Sequence, residues 1–506
     1  MRATSWGSIV LVAVVVVAGA SVARADAPAA PPPTPISLHD AIVRAVAGNV
    51  TLLKQNVALR SAEGGVVGAL GAFDVVLAAD GTFSHNVSPP LHAGDVGGGS
   101  TNSGVFDLSL SRALESGGNL TLALQGRGVK SSTALTCGQV GTAMLSSCPI
   151  YSPSANLTFT QPLLRGFGRE ITEANLYKAR VSRDLALLNR QAQAANTIRD
   201  TIIAYWELAY ETQDLEIQRF SESLAREQLR TTEEQIKVGK LGDLAAASLK
   251  RAIATAQQGE ASAVQALTGR ALDLQRLMGA GVPRAFAGYA AADGFTDTRL
   301  DVDVDAETDR AIAASPALKS IRMGLELSQT DLRVALDSMR PQLNFVGTIG
   351  DGGRSPEIRT GLSQAKDPAN IDYSAGFTFS FPIQNRAARG AADVAHATAD
   401  SAQLDARDLE LQIRDTVARM AAQIRAAAAR VDFGRVAVNA ATDNLTAEQA
   451  RFQVGTSTNN DVLLRQQELK QAQESVARAT ADLLEGEVAL AAVTGDVLDQ
   501  YGVVLR

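Results

Sequence analysis

The chain has 506 residues, 46% hydrophobic and 20% charged, enough apolar material for more than one buried core and too much for a disordered chain. Its 47 Lys and Arg against 54 Asp and Glu give a net charge of −7, which argues against a nucleic-acid surface. Two cysteines and four scattered histidines exclude a disulfide-rich scaffold and a four-cysteine zinc site, so neither a metal nor a cofactor is expected.

Residues 1–25 combine Arg2, the apolar run from Ile9 to Ala18 and the small-residue site Ala23-Arg24-Ala25, and are expected to be a cleaved secretory signal. Five prolines between Ala27 and Pro35 make residues 26–36 a leader expected to form neither helix nor sheet. Beyond residue 25 no apolar run is long enough to cross a membrane as a helix. If the mature chain enters a membrane, it must do so as strands of a closed barrel.

The remainder is duplicated. Phe159-Thr160-Gln161-Pro162 recurs as Phe379-Ser380-Phe381-Pro382, Val238-Gly239 as Val454-Gly455, and Asn49-Val50 is matched by Ser315-Pro316. The first repeat divides into a helix (37–72), strands with an insertion (73–163), and a long helix with a coiled hairpin (164–282). A linker (283–310) leads to the second repeat: a helix (311–340), strands (341–383), and a long helix with a hairpin (384–506). The offset between repeats drops from 266 to 220 residues between Leu77 and Pro162, so the first repeat carries 46 extra residues there.

The strand regions alternate in polarity. Val75, Leu77, Ala79, Gly81 and Phe83 face one way, Asp80, Thr82 and Ser84 the other, and Phe106-Leu108-Leu110, Leu120-Leu122-Leu124 and Phe377-Phe379-Phe381 repeat the pattern. A half-exposed soluble sheet and a transmembrane barrel share this signature. The stretches from Leu164 to Val238 and from Gln384 to Val454 contain no proline and predict very long helices. In the second repeat Val417, Ile424, Val431, Val438, Leu445 and Phe452 recur every seven residues beside Met420, Ala427, Gly434 and Ala441. After the turn Val462, Leu469, Val476, Leu483 and Leu490 do the same beside Ala472, Ala479 and Gly486, which predicts an antiparallel, closely spaced coiled hairpin.

The duplicated strand-to-helix junctions (157–168 and 376–383), the opening Ser37-Leu38-His39-Asp40-Ala41, the helix start Ser315-Pro316-Ala317-Leu318 and the turn 452–463 together resemble the TolC family of outer-membrane efflux proteins. The resemblance implies an α+β membrane protein: a homotrimeric outer-membrane β-barrel, four strands per protomer, continuous with a periplasmic α-helical coiled-coil barrel. It implies a passive exit duct of a tripartite efflux or type I secretion system, in the outer membrane and extending into the periplasm. The partners would be further copies of the chain, a periplasmic adaptor, an inner-membrane transporter and outer-membrane lipid. The docking tips would be Val238-Gly239-Lys240 and Val454-Gly455-Thr456. The entrance constriction would fall on Asp461, with Asp243 in support and closure resting on packing of Phe452, Val454 and Val462; Ser457 and Leu464 occupy the positions of the family's salt-linked latch.

The insertion adds a candidate hairpin, Val105 to Leu114 and Leu120 to Gly128, which either joins the barrel or projects as a loop; the loop is the preferred expectation. Cys137 and Cys148, in the same insertion of an exported chain, are expected to form a disulfide. Asp461, within Thr458-Asn459-Asn460-Asp461, is equally well placed to cap a helix, and Gly239 and Gly455 to end one. No catalytic constellation converges: Glu234 stands where a phosphate-cradling loop ending at Gly239-Lys240 needs glycine, and Asp301, Asp303 and Asp305 lack the partners of a calcium loop. The competing class is a periplasmic coiled-coil structural or adaptor protein whose strands form a soluble sheet.

Overall fold

The computed structural model describes residues 34–89, 99–132, 149–239, 241–242, 244–281, 288–295 and 302–502. The signal segment, Cys137 with Cys148, Lys240 and Asp243 lie outside the described residues. The first repeat contains β1 (Thr34–Ile36), α1 (Leu38–Gly48), α2 (Val50–Leu70), β2 (Val75–Ser88), β3 (Gly99–Ala113), β4 (Asn119–Ser131), β5 (Ile150–Pro162), α3 (Arg169–Thr172), α4 (Ala174–Lys237) and α5 (Ala245–Leu277). After β6 (Tyr289–Ala291), the second contains α6 (Val304–Ala314), α7 (Pro316–Ser338), β7 (Gln342–Gly352), α8 (Ile358–Gln364), β8 (Ile371–Ser380), α9 (Arg386–Gln453), α10 (Asn459–Thr494) and α11 (Val497–Gln500).

Each expected periplasmic helix is two helices, and the break has the same cause in both repeats. Asn49 leaves the helical conformation and its side chain accepts hydrogen bonds from the Thr51 and Leu52 N–H groups, starting α2 afresh. Ser315 does the same for Leu318, with Pro316 in the first turn of α7. The leader and linker expectations also need correction. Residues 34–36 form a parallel strand against β6, inside the linker, and α6 begins within the linker under an Asp303 cap. Pro35 is compatible with this pairing because a two-stranded sheet leaves one edge of each strand without a partner.

The larger sheet has the order β2-β3-β4-β5-β7-β8, every pair antiparallel. The inserted hairpin is therefore part of the sheet, against the expectation of a projecting loop, and the sheet has six strands rather than four. Register explains why. Leu77, Leu110, Leu122, Leu157, Ile349 and Tyr373 form one row across all six strands, while Ser111, Thr121, Thr158, Thr348 and Ser374 form a row on the opposite face. A slip of one residue would reverse both faces, so the inserted strands fit only in this alignment.

The helices α4 and α9 have 64 and 68 residues, roughly 100 Å at 1.5 Å per residue. Along α9 the heptad positions Val417, Ile424, Val431, Leu445 and Phe452 are buried against Val462, Leu469, Leu483 and Leu490 of α10. The small residues set the helix spacing: a Cβ at Gly434 would come within 2.6 Å of Val476 Cγ2, and one at Gly486 within 3.1 Å of Ile424 Cγ1. Gly434→Leu should therefore force the hairpin apart and destabilise it by about 1 to 3 kcal/mol, measured by denaturant unfolding of the detergent-solubilised protein; unchanged stability would show that the seam is not tightly packed.

Candidate channel entrance at the helix-hairpin tips

Both long helices end at a glycine with positive φ, Gly239 at 76° and Gly455 at 85°, a conformation that costs glycine little. At the second tip the Gly455 N–H bonds to the Phe452 carbonyl and the Thr456 N–H to the Arg451 carbonyl, a double closure that turns the chain sharply. At the first, the Gly239 N–H bonds to the Ile236 carbonyl. The preceding valines project outward, Val238 being 70% and Val454 76% exposed, so each tip presents an apolar residue that no described residue covers.

Asp461 is a helix cap in this protomer. Thr458 is the N-cap of α10; its hydroxyl accepts from the Asp461 N–H, and the Asp461 carboxylate accepts from the Thr458 N–H at 3.1 Å and hydroxyl at 2.7 Å. The hydrogen bond from the Thr458 hydroxyl, followed by that from its backbone, holds the exposed Asp461 carboxyl below the usual carboxylate range, so it carries its charge at neutral pH. Phe452 is only 4% exposed and packs with Ala441, Leu445, Val462 and Leu469, so it joins the two helices from inside rather than facing a passage. Ser457 donates to Glu448, which also pairs with Arg451 at 3.4 Å.

The residue that sequence reasoning passed over is Asn459. It is buried and connects the two repeats: its Oδ1 accepts from Gln228 Nε2 at 2.9 Å and from Thr232 Oγ1 at 3.0 Å, both on α4, and its Nδ2 donates to the Ala245 carbonyl at the start of α5. Three helix ends thus meet on one side chain. The signal was present only as one more polar residue in a capping run, and which member turns inward depends on the placement of α4.

Farther along α10, Arg478 gathers charges from both repeats. It bonds to Asp482 at 2.6 Å, to Glu207 of α4 at 2.9 Å and to Glu485 at 3.2 Å, and its guanidinium lies 5.0 Å above the Tyr210 ring. Arg270 of α5 adds a second cation 3.0 Å from Glu207. Burial, then repulsion from Glu207, pushes the Glu485 carboxyl up to about 7 against the opposing pull of Arg478.

Residues 308–496 match the family model for outer membrane efflux proteins. No curated protein sequence matches the chain. The chain shares its fold with VceC, an outer membrane protein of Vibrio cholerae, at a TM-score of 0.65 and 17% identity, covering 90% of this chain and 96% of that one. It likewise resembles the outer-membrane channel OprN, at 0.66 and 15% over 91% and 90% of the two chains. The open state of the MtrE outer membrane channel of Neisseria gonorrhoeae matches at 0.64 and 15% over 91% and 89%. The fold is thus shared with these outer-membrane channels, and residues 308–496 of the second repeat carry the match to the efflux-protein model.

Two outcomes follow from these contacts. Asn459→Ala should cost about 1 to 3 kcal/mol by leaving Gln228 and Thr232 without their acceptor, and should loosen the first tip. The check is urea unfolding together with protease cleavage near residue 242; wild-type behaviour in both would rule out the bridge. For Glu485, the folded carboxyl keeps its proton to about pH 7, whereas an unfolded glutamate loses it near 4.5. The folded state then binds more protons in that window, so stability falls as pH rises through it. Glu485→Gln should accordingly melt higher than wild type at pH 8 and at the same temperature at pH 4, by circular dichroism.

Proposed function

Starting from a second repeat with the outer membrane efflux protein signature and a whole-chain fold shared with outer-membrane channels, we propose that this protein is the passive exit duct of a tripartite efflux or type I secretion system. The observation that carries the proposal is the six-stranded sheet, apolar on one face and polar on the other, whose edge strands β2 and β8 have no partner among the described residues. Three copies joined β2 to β8 give a closed barrel of 3 × 6 = 18 strands, a size that encloses a water-filled channel. The polar rows then face the lumen and the apolar rows the lipid. Helices of roughly 100 Å continue the duct across the periplasm.

In this assembly the exposed Val238 and Val454 tips receive the hairpins of a periplasmic adaptor, and an inner-membrane transporter supplies the energy. Three ionised Asp461 carboxylates, one per protomer, ring the entrance and raise the local cation concentration while each still caps its own helix. Lys240 and Asp243 complete the first tip as the further docking and entrance residues, and Thr456 the second. Phe452 contributes by stiffening the hairpin from within.

The test is reconstitution of purified, crosslinked protein into planar bilayers. Trimers should conduct with a cation preference that Asp461→Asn reduces without opening the closed pore much further. A water-soluble monomer that conducts nothing would overturn the duct; unchanged selectivity in Asp461→Asn would leave that residue a cap only.

A further inference from the structure

On the apolar face of the sheet, at the end of the strands farthest from the helices, lies a groove of about 750 Å³, within the range of ligand sites. Its floor is glycine. Gly104 and Gly128 are register partners and Gly126 faces Phe106; the space above Gly104 and Gly126 is open, whereas the Tyr151 ring lies over Gly128, 3.3 Å from where a Cβ would be. One wall is Phe83 and Phe106, 76% and 56% exposed; the other is Tyr151, Pro153 and the α8 residues Ile358 and Leu362. The second wall is fixed in place. Ser355 exchanges backbone hydrogen bonds with Tyr151, the Gly353 N–H bonds to the Pro153 carbonyl, and a Cβ at Gly361 would lie 3.2 Å from the Pro153 ring.

The charged residues of the lining are the cations Arg127 and Lys130, and Asp351 lies beyond Pro153 on the same face, opposite Ala155. Lys130 lines the groove on the same face as its register partner Asn102, and Arg359 and Lys366 lie beside Ile358 and Leu362 on α8. Arg127 also borders the groove, but its partners Val105 and Ser152 belong to the polar face. No carboxylate lines the groove among the described residues. The nearest acids in sequence to α8 are already engaged: Glu357 accepts from the Thr360 hydroxyl and Asp367 from the Ala369 N–H.

We propose that this groove binds a phosphorylated glycolipid of the outer leaflet, an acyl chain lying over Gly104 and Gly126 against the Tyr151 ring and a phosphate meeting Lys130, Arg359 and Lys366. The assignment rests on the duct reading, because that reading turns the apolar face to lipid and the far strand ends to the cell exterior. Three features select this occupant. Apolar walls and a glycine floor suit a chain of methylenes lying against the backbone. Cations at the rim suit an anionic headgroup at the depth where the hydrocarbon ends. The floor and the Tyr151 wall come from the interior strands β3, β4 and β5, away from the β2 and β8 edges that would join copies.

The experiment is native mass spectrometry of the detergent-solubilised protein titrated with bis-phosphorylated hexa-acyl lipid A, with dephosphorylated lipid A and phosphatidylglycerol as comparison probes, and with pore conductance measured on the same preparation. Lipid A should be retained over both comparison probes. Lys130→Gln combined with Arg359→Gln should weaken it by roughly a factor of five per cation. Gly104→Leu should abolish retention without disturbing the sheet, since nothing lies within 4 Å of a Cβ there. Equal retention of phosphatidylglycerol, or lipid A binding unchanged by Gly104→Leu, overturns the site; in the second case a lowered melting temperature would assign the groove to the chain itself. Conducting protein that binds no lipid A overturns the site and leaves the duct standing, whereas protein that neither conducts nor binds overturns both.

Discussion

Hydrocarbon offers no hydrogen-bond partner to a peptide group, and the six-stranded sheet ends in two edges, β2 and β8, that have no strand partner among the described residues. In the proposed duct the rest of the molecule is arranged around that constraint. A lone protomer cannot satisfy it, because six strands are too few to close around a lumen. The helices below repeat the situation in another form: α4 with α5 and α9 with α10 make two hairpins whose remaining surfaces include exposed Phe220, Phe433 and Val436. In the proposed trimer, assembly about a common axis would answer both needs with one symmetry, pairing strand edges above and helix faces below.

The two repeats hold together by different means. Within the second hairpin the contact is apolar and close, with Gly434 under Val476 and Gly486 under Ile424. Between repeats the contact is apolar far from the tips, where Ile198, Ile202 and Trp206 of α4 pack with Leu484 and Val488 of α10, and includes polar ties toward them: Gln218 of α4 bonds to Glu474 of α10, Arg478 reaches Glu207, and Asn459 binds Gln228 and Thr232. An apolar seam tolerates little displacement, because each side chain fills a fixed hole. A line of hydrogen bonds and ion pairs can be exchanged for water at modest net cost. Relative motion at the entrance is therefore expected between the hairpins rather than within the second one. Glu485, half protonated near neutrality, sits on the more exchangeable contact.

Much of this was legible from residue patterns. The repeats, the alternating strands and the seven-residue spacing from Val417 to Phe452 were readable because each is a periodicity, and periodicity survives without knowledge of tertiary contacts. The breaks at Asn49 and Ser315 were also visible as residues, but capping and continuation differ by little in local energy and the neighbouring helix decides. The inserted hairpin was misjudged because its polarity pattern fits a protruding ribbon as well as a sheet strand. Only the register with Leu77 on one side and Leu157 on the other distinguishes them. Asn459 and Glu485 owe their surroundings to residues more than 200 positions away, and no local pattern reports such a meeting.

If three copies close the proposed barrel, the extra hairpin has a geometric consequence for where the duct is narrow. With strands about 4.8 Å apart and tilted by roughly 40°, a barrel of 12 strands has a radius of roughly 12 Å and one of 18 strands roughly 18 Å. The helical part gains nothing from the insertion, since 46 residues were added to the strand region alone and the hairpin arms from Gly239 to Gly279 and from Gly455 to Gly495 keep equal length. Widening is therefore confined to the membrane end, and the mismatch with the helices is taken up where β5 and β8 run into α3 and α9. Those junctions are held by short polar ties: Gly166 N–H to Asp337, Arg165 to Gln342, and Asn385 to the Met339 carbonyl. Asn385 itself adopts a left-handed conformation with φ of 45°, the only non-glycine residue to do so among those described, at the point where the chain turns from sheet to helix. In the proposed duct, a barrel wider than its helical stem would not be the restriction on cargo, and discrimination would fall to the hairpin tips at the far end.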